Sequence, residues 1–474
     1  MEIYLLIGLP VIMGTGVFLF RLHERTQKTI LVATAMVHCF MTMSLWFRPC
    51  GILFNTFMGI DAPSQLVLTV VSVLFCIISV YMCGSLTNER MHAHSVCVGS
   101  LLFFLAAMTL VTFSRHMGLL WIAIEATTLL SVPLINYYHS TESIEATWKY
   151  LLISSLGIAM ALLGTFFLAI ATSQVTTIFL DDILLNAQLL SVPWLKLSII
   201  FLVVGYGTKM GLAPMHTWKP DVYGEAPPPI GALLAGVLTS CAFLAFFRIA
   251  QICMHAHIGD IFSPVFILMG ILSIAIAAIF IMGQKDFSRL LGYSSIEHMG
   301  IIVLGLGLGG QAVWASFYHV INNSFVKGLI FLAAGNVYRI YKTKKVADIQ
   351  GSIHSLPVSS VFLLVGFIAV TGFPPFGIFY SEILIFKQAL VTHHYVVAFL
   401  YFLFLTVIFF GFSRILLQMV FGEAPESVMP PVKENMFFVL PLVLITVILF
   451  VIGIILPSSL SQIIAQSSLL LGGN

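Results

Sequence analysis

Runs of about 20 apolar residues recur along almost the whole chain, and no other feature limits its fold so strongly. Each run is long enough to cross a hydrocarbon core of roughly 30 Å as a helix. Lipid offers no partner for backbone polar groups, so repeated runs of this length mean an all-α polytopic bundle. A barrel would need strands half as long, with alternating polarity. Composition agrees, since only 8% of the 474 residues are charged, against roughly 25% in an ordinary soluble domain. A net charge of +2 suggests neither nucleic acid nor an acidic partner.

Charged and Pro/Gly-rich punctuation divides the chain into about fourteen spans. They lie near 3–20, 29–47, 66–86, 95–113, 117–138, 150–172, 193–213, 229–250, 263–283, 294–310, 312–338, 356–380, 395–420 and 436–456. The first run lacks a basic leader and a small-residue cleavage site, and reads as a retained span. One set of alternate loops holds Arg21, Arg25, Lys28, Arg90, Lys149, Lys219, Lys285, Arg289, Arg339, Lys342, Lys344, Lys345 and Lys433. The other holds Arg48, Arg115, Lys196 and Arg248. This bias of about 13 to 4 predicts that the first set is cytoplasmic and that both termini face outward across the inner membrane. With no linker or low-complexity stretch, residues 1–474 read as one membrane domain.

The seven cysteines, Cys39, Cys50, Cys76, Cys83, Cys97, Cys241 and Cys253, are scattered without metal-ligand spacing and read as small core residues. His92 with His94, His255 with His257 and His393 with His394 fall at span ends, where solvated loop residues are expected. No metal site is predicted.

Six charges remain inside apolar runs or close to their ends: Lys209, Lys327, Lys387, Arg414, Glu125 and Glu382. An ionisable group at mid-bilayer costs at least about 2.5 kcal/mol, so several of them need a reason. An ion pair between helices, or a lysine reaching to the interface, would account for any one alone. Local sequence favours a polar pathway. Lys209 lies in VGYGTKMGLAPMHTW (204–218) among Gly205, Gly207, Gly211 and Pro214, and Gly372, Pro374, Pro375 and Gly377 precede Glu382 in TGFPPFGIFYSEILIFK (371–387). Two Gly/Pro-interrupted spans in corresponding places point to two inverted repeats, each with a broken helix, with core repeats at approximately 95–250 and 263–420. Freed carbonyls and half-helix dipoles at a break can hold water and an ion beside a side chain. Burial discourages charge and a nearby opposite charge restores it, so moving one partner switches the proton affinity of the other. Lys327 in HVINNSFVKGLIFLAAGN (319–336) continues the polar line with His319, Asn322 and Asn323. Those three could equally be hydrogen-bonding glue between helices.

Five strings, LLWIAIEATTLL (119–130), PMHTWKPDVYGEAPPP (214–229), DFSRLLGYSSIEHMG (286–300), FVKGLIFLAAGN (325–336) and GFPPFGIFYSE (372–382), resemble the proton-translocating membrane subunits of complex I and multisubunit sodium/proton antiporters. SIEATWKYLLISSLG (143–157) and the pair Glu297-His298 are most similar to hydrogenase-4 component F and its relatives. The resemblance implies that Glu125 controls a partner lysine, Lys209, and that Lys327 and Glu382 continue the path. It also implies that His319 bridges the axis. Two departures stand out. Thr239 and Ser240 occupy the eighth span where many members have a lysine, and Asn323 replaces a second histidine. Hydroxyls and amides organise water but hold no proton charge at neutral pH. Glu297 and His298 would compensate if they face the axis; an exposed pair near a span end is the bland alternative.

The resemblance further implies a proton-translocating subunit of a hydrogenase-like or complex I-like assembly, or an NADH:quinone oxidoreductase-type complex. Other membrane subunits and a peripheral redox module would be its partners. The chain has neither a CxxC cluster motif nor a dinucleotide glycine fingerprint, so no cofactor is expected in it. Iron-sulfur clusters, with nickel-iron or zinc, would belong to partner chains. A cation/proton antiporter subunit moving sodium, an inorganic-carbon uptake subunit with a zinc-bearing partner, and a non-pumping scaffold are the other readings.

Overall fold

In a computed structural model of the protein, residues 2–20, 22–48, 52–53, 55–85, 91–175, 177–423 and 432–471 are described. Arg21, Cys50 and Arg90 lie outside them, as does the side chain of His92. Three helices open the bundle, α1 (Glu2–Leu19), α2 (Glu24–Ser44) and α3 (Ala62–Ser85), with a two-stranded ribbon pairing Ile52–Leu53 with Gly59–Ile60. Next come α4 (Met91–Phe113), α5 (Met117–Ile135) and α6 (Thr141–Ala171). The helix α7 (Val192–Met210) breaks and resumes as the short α8 (Trp218–Glu225). After α9 (Pro228–His255) follow α10 (Gly259–Met282), α11 (Phe287–Leu308) and α12 (Gln311–Tyr341). A second break separates α13 (Pro357–Val370) from α14 (Gly377–Val391). The last helices are α15 (Tyr395–Phe421), α16 (Met436–Phe450) and α17 (Ser458–Leu469).

Twelve of the described helices are long and apolar enough to span, and shorter apolar helices cover Tyr4–Leu19 and Pro357–Val370. Together they account for the fourteen runs read from the sequence. Burial sorts them into centre and rim. The apolar windows of α9 and α12 are wholly buried, whereas that of α15 is 28% buried and presents Phe399, Phe402 and Phe410 outward. Large apolar side chains on an outer surface are what a lipid-facing wall requires.

The two breaks have local causes. Gly211 ends α7 with φ +73°, a conformation that a side chain disfavours, and Pro214 follows. Gly372 at φ +66° and the Pro374-Pro375 pair do the same between α13 and α14. Within α7, Gly205 lets the backbone of α6 approach: a Cβ there would stand 2.6 Å from the Ala161 nitrogen and the Gly157 oxygen.

Ion pairs gather at the two ends of the bundle. At one end Lys149 and Arg289 share Asp221 at 3.0 and 3.2 Å, and Lys344 meets Glu225 at 3.0 Å. At the other, Asp61 accepts from Arg115 at 2.8 Å and from Arg248 at 2.7 Å, and Arg115 also pairs with Asp181.

Several expectations need correction. Arg248 is no loop residue, because α9 continues to His255 and Asp61, Ser64 and Gln251 satisfy the guanidinium inside. Lys219 does not face a cytoplasmic loop; its side chain is fully buried. His94 is buried as well. Glu382 does not follow the twelfth span but sits within its second half, α14. Lys387 and Arg414 are exposed on the outer surface.

Candidate functional site

Two clusters of ionisable groups, each centred on a buried lysine, lie beside the two breaks. The first is built from α5, α6 and α7. Lys209, next to last in α7, is 1% exposed, and its ammonium donates to Thr128 Oγ1 at 2.8 Å and to Tyr150 OH at 2.9 Å. Tyr150 in turn meets Ser131 Oγ at 2.7 Å. Thr128 and Ser131 are one turn apart on α5, which is why both reach the same neighbour. Glu125 lies one turn before Thr128, close enough for its charge to act on Lys209. It forms no ion pair with that lysine among the described residues, and its Oε2 is buried without a hydrogen-bond partner. The lysine is thus solvated by neutral hydroxyls while its carboxylate stands off.

The break itself is satisfied from outside. Trp218 Nε1 donates to the Thr208 carbonyl at 3.0 Å, and the Ala213 amide donates to Ser273 Oγ at 2.9 Å. The Trp218 ring also packs on Tyr150, with centroids 5.1 Å apart. These bonds restore partners that the interrupted helix ladder has given up.

The second cluster is built from α11, α12 and α14. Lys327 is fully buried and donates to Ser294 Oγ at 2.7 Å. Glu297, one turn further along α11, is 3% exposed and within range of the lysine's charge. His298 Nδ1 lies 3.0 Å from His319 Nε2, and His319 Nδ1 lies 2.9 Å from Ser381 Oγ. The next residue is Glu382, whose carboxylate is tucked against Gly372 in the break. Glu297 and His298 therefore face inward, and they join Lys327, His319 and Glu382 in one cluster. The eighth-span hydroxyls have modest roles: Thr239 bonds the Ala235 carbonyl at 2.6 Å, and Ser240 meets Ser324 Oγ at 2.8 Å. Asn323 keeps an unpartnered buried oxygen.

Sequence reasoning missed the hydroxyls that hold the lysines, Thr128, Tyr150 and Ser294, because a serine or tyrosine in a helix gives no periodic signal. It also missed Ser381, which couples His319 to the second break. Among the described residues no three His, Cys, Asp or Glu side chains converge as a metal would require.

Fold and site together define a polytopic membrane protein in which two broken helices meet two clusters of buried lysines with carboxylates nearby. Residues 114–409 match the family model described as NADH:quinone oxidoreductase/Mrp antiporter, TM, and the chain belongs to that family. A hydrogenase-4 component F homolog of Methylacidiphilum infernorum is 34% identical over 406 residues, covering 82% of this chain and 84% of the relative. An NADH-quinone oxidoreductase subunit N of Desulforudis audaxviator is 31% identical over 267 residues, 56% of this chain and 52% of that subunit. Among solved structures, a chain of the membrane-bound sulfane sulfur reductase, an archaeal respiratory membrane complex, matches with TM-score 0.90 and 22% identity over 99% of this chain and 98% of its own. A chain of the Mrp complex from Dietzia sp. matches with TM-score 0.88 and 16% identity over 99% and 97%. These two share the fold.

Proposed function

We propose that this chain is a proton-translocating membrane subunit of a respiratory hydrogenase-like or complex I-like assembly, coupling redox chemistry in partner subunits to proton movement through its own buried groups. One observation carries most of the weight: Lys209 and Lys327 are both buried and held by neutral hydroxyls, each with a carboxylate within range but not in contact. Such a lysine can release its proton and stay hydrogen-bonded as a neutral amine, and it takes the proton back when the carboxylate comes closer. Glu125 acts on Lys209, and Glu297 acts on Lys327. The His298–His319–Ser381 line carries protons toward Glu382. Side chains that rotate between partners make each step a short transfer between hydrogen-bonded groups.

The redox work belongs to other chains. Iron-sulfur clusters, with nickel-iron or zinc centres, sit on this view in partner subunits, and further membrane subunits flank the chain. The end bearing Lys149, Arg289 and Lys344 faces the cytoplasm, with both termini on the opposite side of the inner membrane. The core repeats run approximately over 95–250 and 263–420.

The test uses the whole complex in native membrane vesicles, with reductant-driven proton movement as the readout. Glu125→Gln and Lys209→Met are each expected to lower it ~10-fold or more, with normal amounts of the chain in the membrane. Normal pumping by both variants overturns the proposal. Exchange that needs sodium and no redox substrate would instead make the chain a cation/proton antiporter subunit.

A further inference from the structure

Among the described residues no hydrogen bond joins the two clusters, and a third buried lysine lies between them. Lys219 belongs to α8, the short helix after the first break, and its side chain is fully buried. Its aliphatic stem lies along Gly211, two residues beyond Lys209, and a Cβ on that glycine would stand 2.9 Å from the Lys219 ammonium. Gly211 therefore serves twice, turning the chain and making room for Lys219. The neighbouring Trp218 packs on Tyr150, the hydroxyl that Lys209 binds. On its other side, Lys219 donates to Ser295 Oγ at 3.3 Å. Ser295 is adjacent in sequence to Ser294, which holds Lys327. Among the described residues Lys219 makes no ion pair, and the charge it feels is that of Lys327, another cation.

A buried ammonium with no carboxylate partner is expensive, and as a structural element it would be better replaced by an apolar side chain. Two lysines within range of each other repel when both are protonated, so a proton on one discourages a proton on the other. That is the arrangement of a site that passes a proton on.

We propose that Lys219 is the proton carrier between Lys209 and Lys327, joining the two clusters into one path; this rests on the proton-translocating role proposed above. The Lys209 ammonium releases its proton and becomes a neutral amine, and the Lys219 amine takes that proton and becomes the ammonium. Lys219 then gives it up toward Lys327, with the Ser295 and Ser294 hydroxyls as the polar groups along the way. No charge is created or lost. The eighth-span hydroxyls of Thr239 and Ser240 cannot hold a proton in this place, and Lys219 can.

The experiment compares Lys219→Gln and Lys219→Arg with Lys209→Met in the whole complex, using reductant-driven proton movement in membrane vesicles and assembly on native gels. Glutamine keeps a bond to Ser295 without charge, and arginine keeps the charge but does not release it. Both Lys219 variants are expected to assemble and to lose ~10-fold or more of proton movement. A normal Lys219→Arg enzyme, or failure of both variants to assemble, makes Lys219 a structural cation and overturns the proposal. If both Lys219 variants pump normally while Lys209→Met is inactive, the carrier role fails and the function of the chain stands. If all three pump normally, the translocating function itself fails.

Discussion

Asp61 and Lys209 are both charges taken out of water, and the protein holds them in opposite ways. Asp61 accepts from Arg248 through both carboxylate oxygens at 2.7 Å and from Arg115 at 2.8 Å, while Arg248 also donates to Gln251 and Ser64. Burial alone would raise the Asp61 carboxyl, but the two guanidinium groups outweigh it and hold the acid well below the usual carboxylate range. Among the described residues Lys209 donates its hydrogen bonds to hydroxyls and makes no ion pair with its carboxylate. The first arrangement fixes a charge and ties the loop before α3 to the connection between α4 and α5 and to α9. The second leaves a charge free to change, which is what transport needs and stability does not.

Lys327→Met should break the comparison most severely on the transport side. Proton movement is expected to fall ~10³-fold, the range in which loss of a positioned acid–base group is felt. Stability should hold, because replacing a buried charge by an apolar side chain of similar length is often neutral or stabilising. Thermal melting of the purified complex alongside vesicle pumping checks both halves. A variant that pumps normally would sink the role of Lys327.

Asp61→Asn should show the reverse. It leaves Arg248 buried without its carboxylate, at an expected cost of ~3 kcal/mol, while pumping per assembled complex changes little. The pH dependence follows from the same network. The folded-state affinity of Asp61 for a proton lies below its unfolded value of about 3.9, so the stabilisation is present above that pH and is lost as pH falls further. The difference in melting temperature between wild type and Asp61→Asn is therefore expected at pH 7 and should shrink as acid approaches pH 3. A difference that grew with acidification would contradict the assignment.

The same contrast explains what could be read from the sequence. Lys209, Lys327 and Glu125 were visible because a charge inside an apolar run has no ordinary excuse. The breaks were visible because Gly211, Pro214, Gly372 and Pro374 punctuate those runs. Lys219 was hidden by its neighbours: His216, Thr217 and Asp221 give the segment the look of a solvated loop, though the chain folds it back into the bundle. Asp61, Arg115 and Arg248 each sit near a span end, where charges are unremarkable, and only the fold brings an acid at 61 to a base at 248. Glu297 and His298 were ambiguous because they fall within a few residues of the expected start of their span, whereas α11 begins earlier, at Phe287, and carries them well inside.

Tyr150→Phe sharpens the comparison at its finest point, the hydroxyl cage around Lys209. The variant removes one of the two acceptors seen by the ammonium and leaves Thr128 in place at 2.8 Å. A net hydrogen bond contributes about 0.5–1.5 kcal/mol, with somewhat more when one partner is charged. The neutral amine loses less than the ammonium when an acceptor disappears, so the variant biases Lys209 toward its deprotonated form. Proton movement should accordingly fall about three- to tenfold, less than in Lys209→Met, with the chain still assembled. Thr128→Val in the same background removes the second acceptor and should bring the loss close to that of Lys209→Met. If Tyr150→Phe were as inactive as Lys209→Met while Thr128→Val alone was silent, the tyrosine would be a carrier of the proton and not part of the cage, and the path out of the first cluster would run through its hydroxyl.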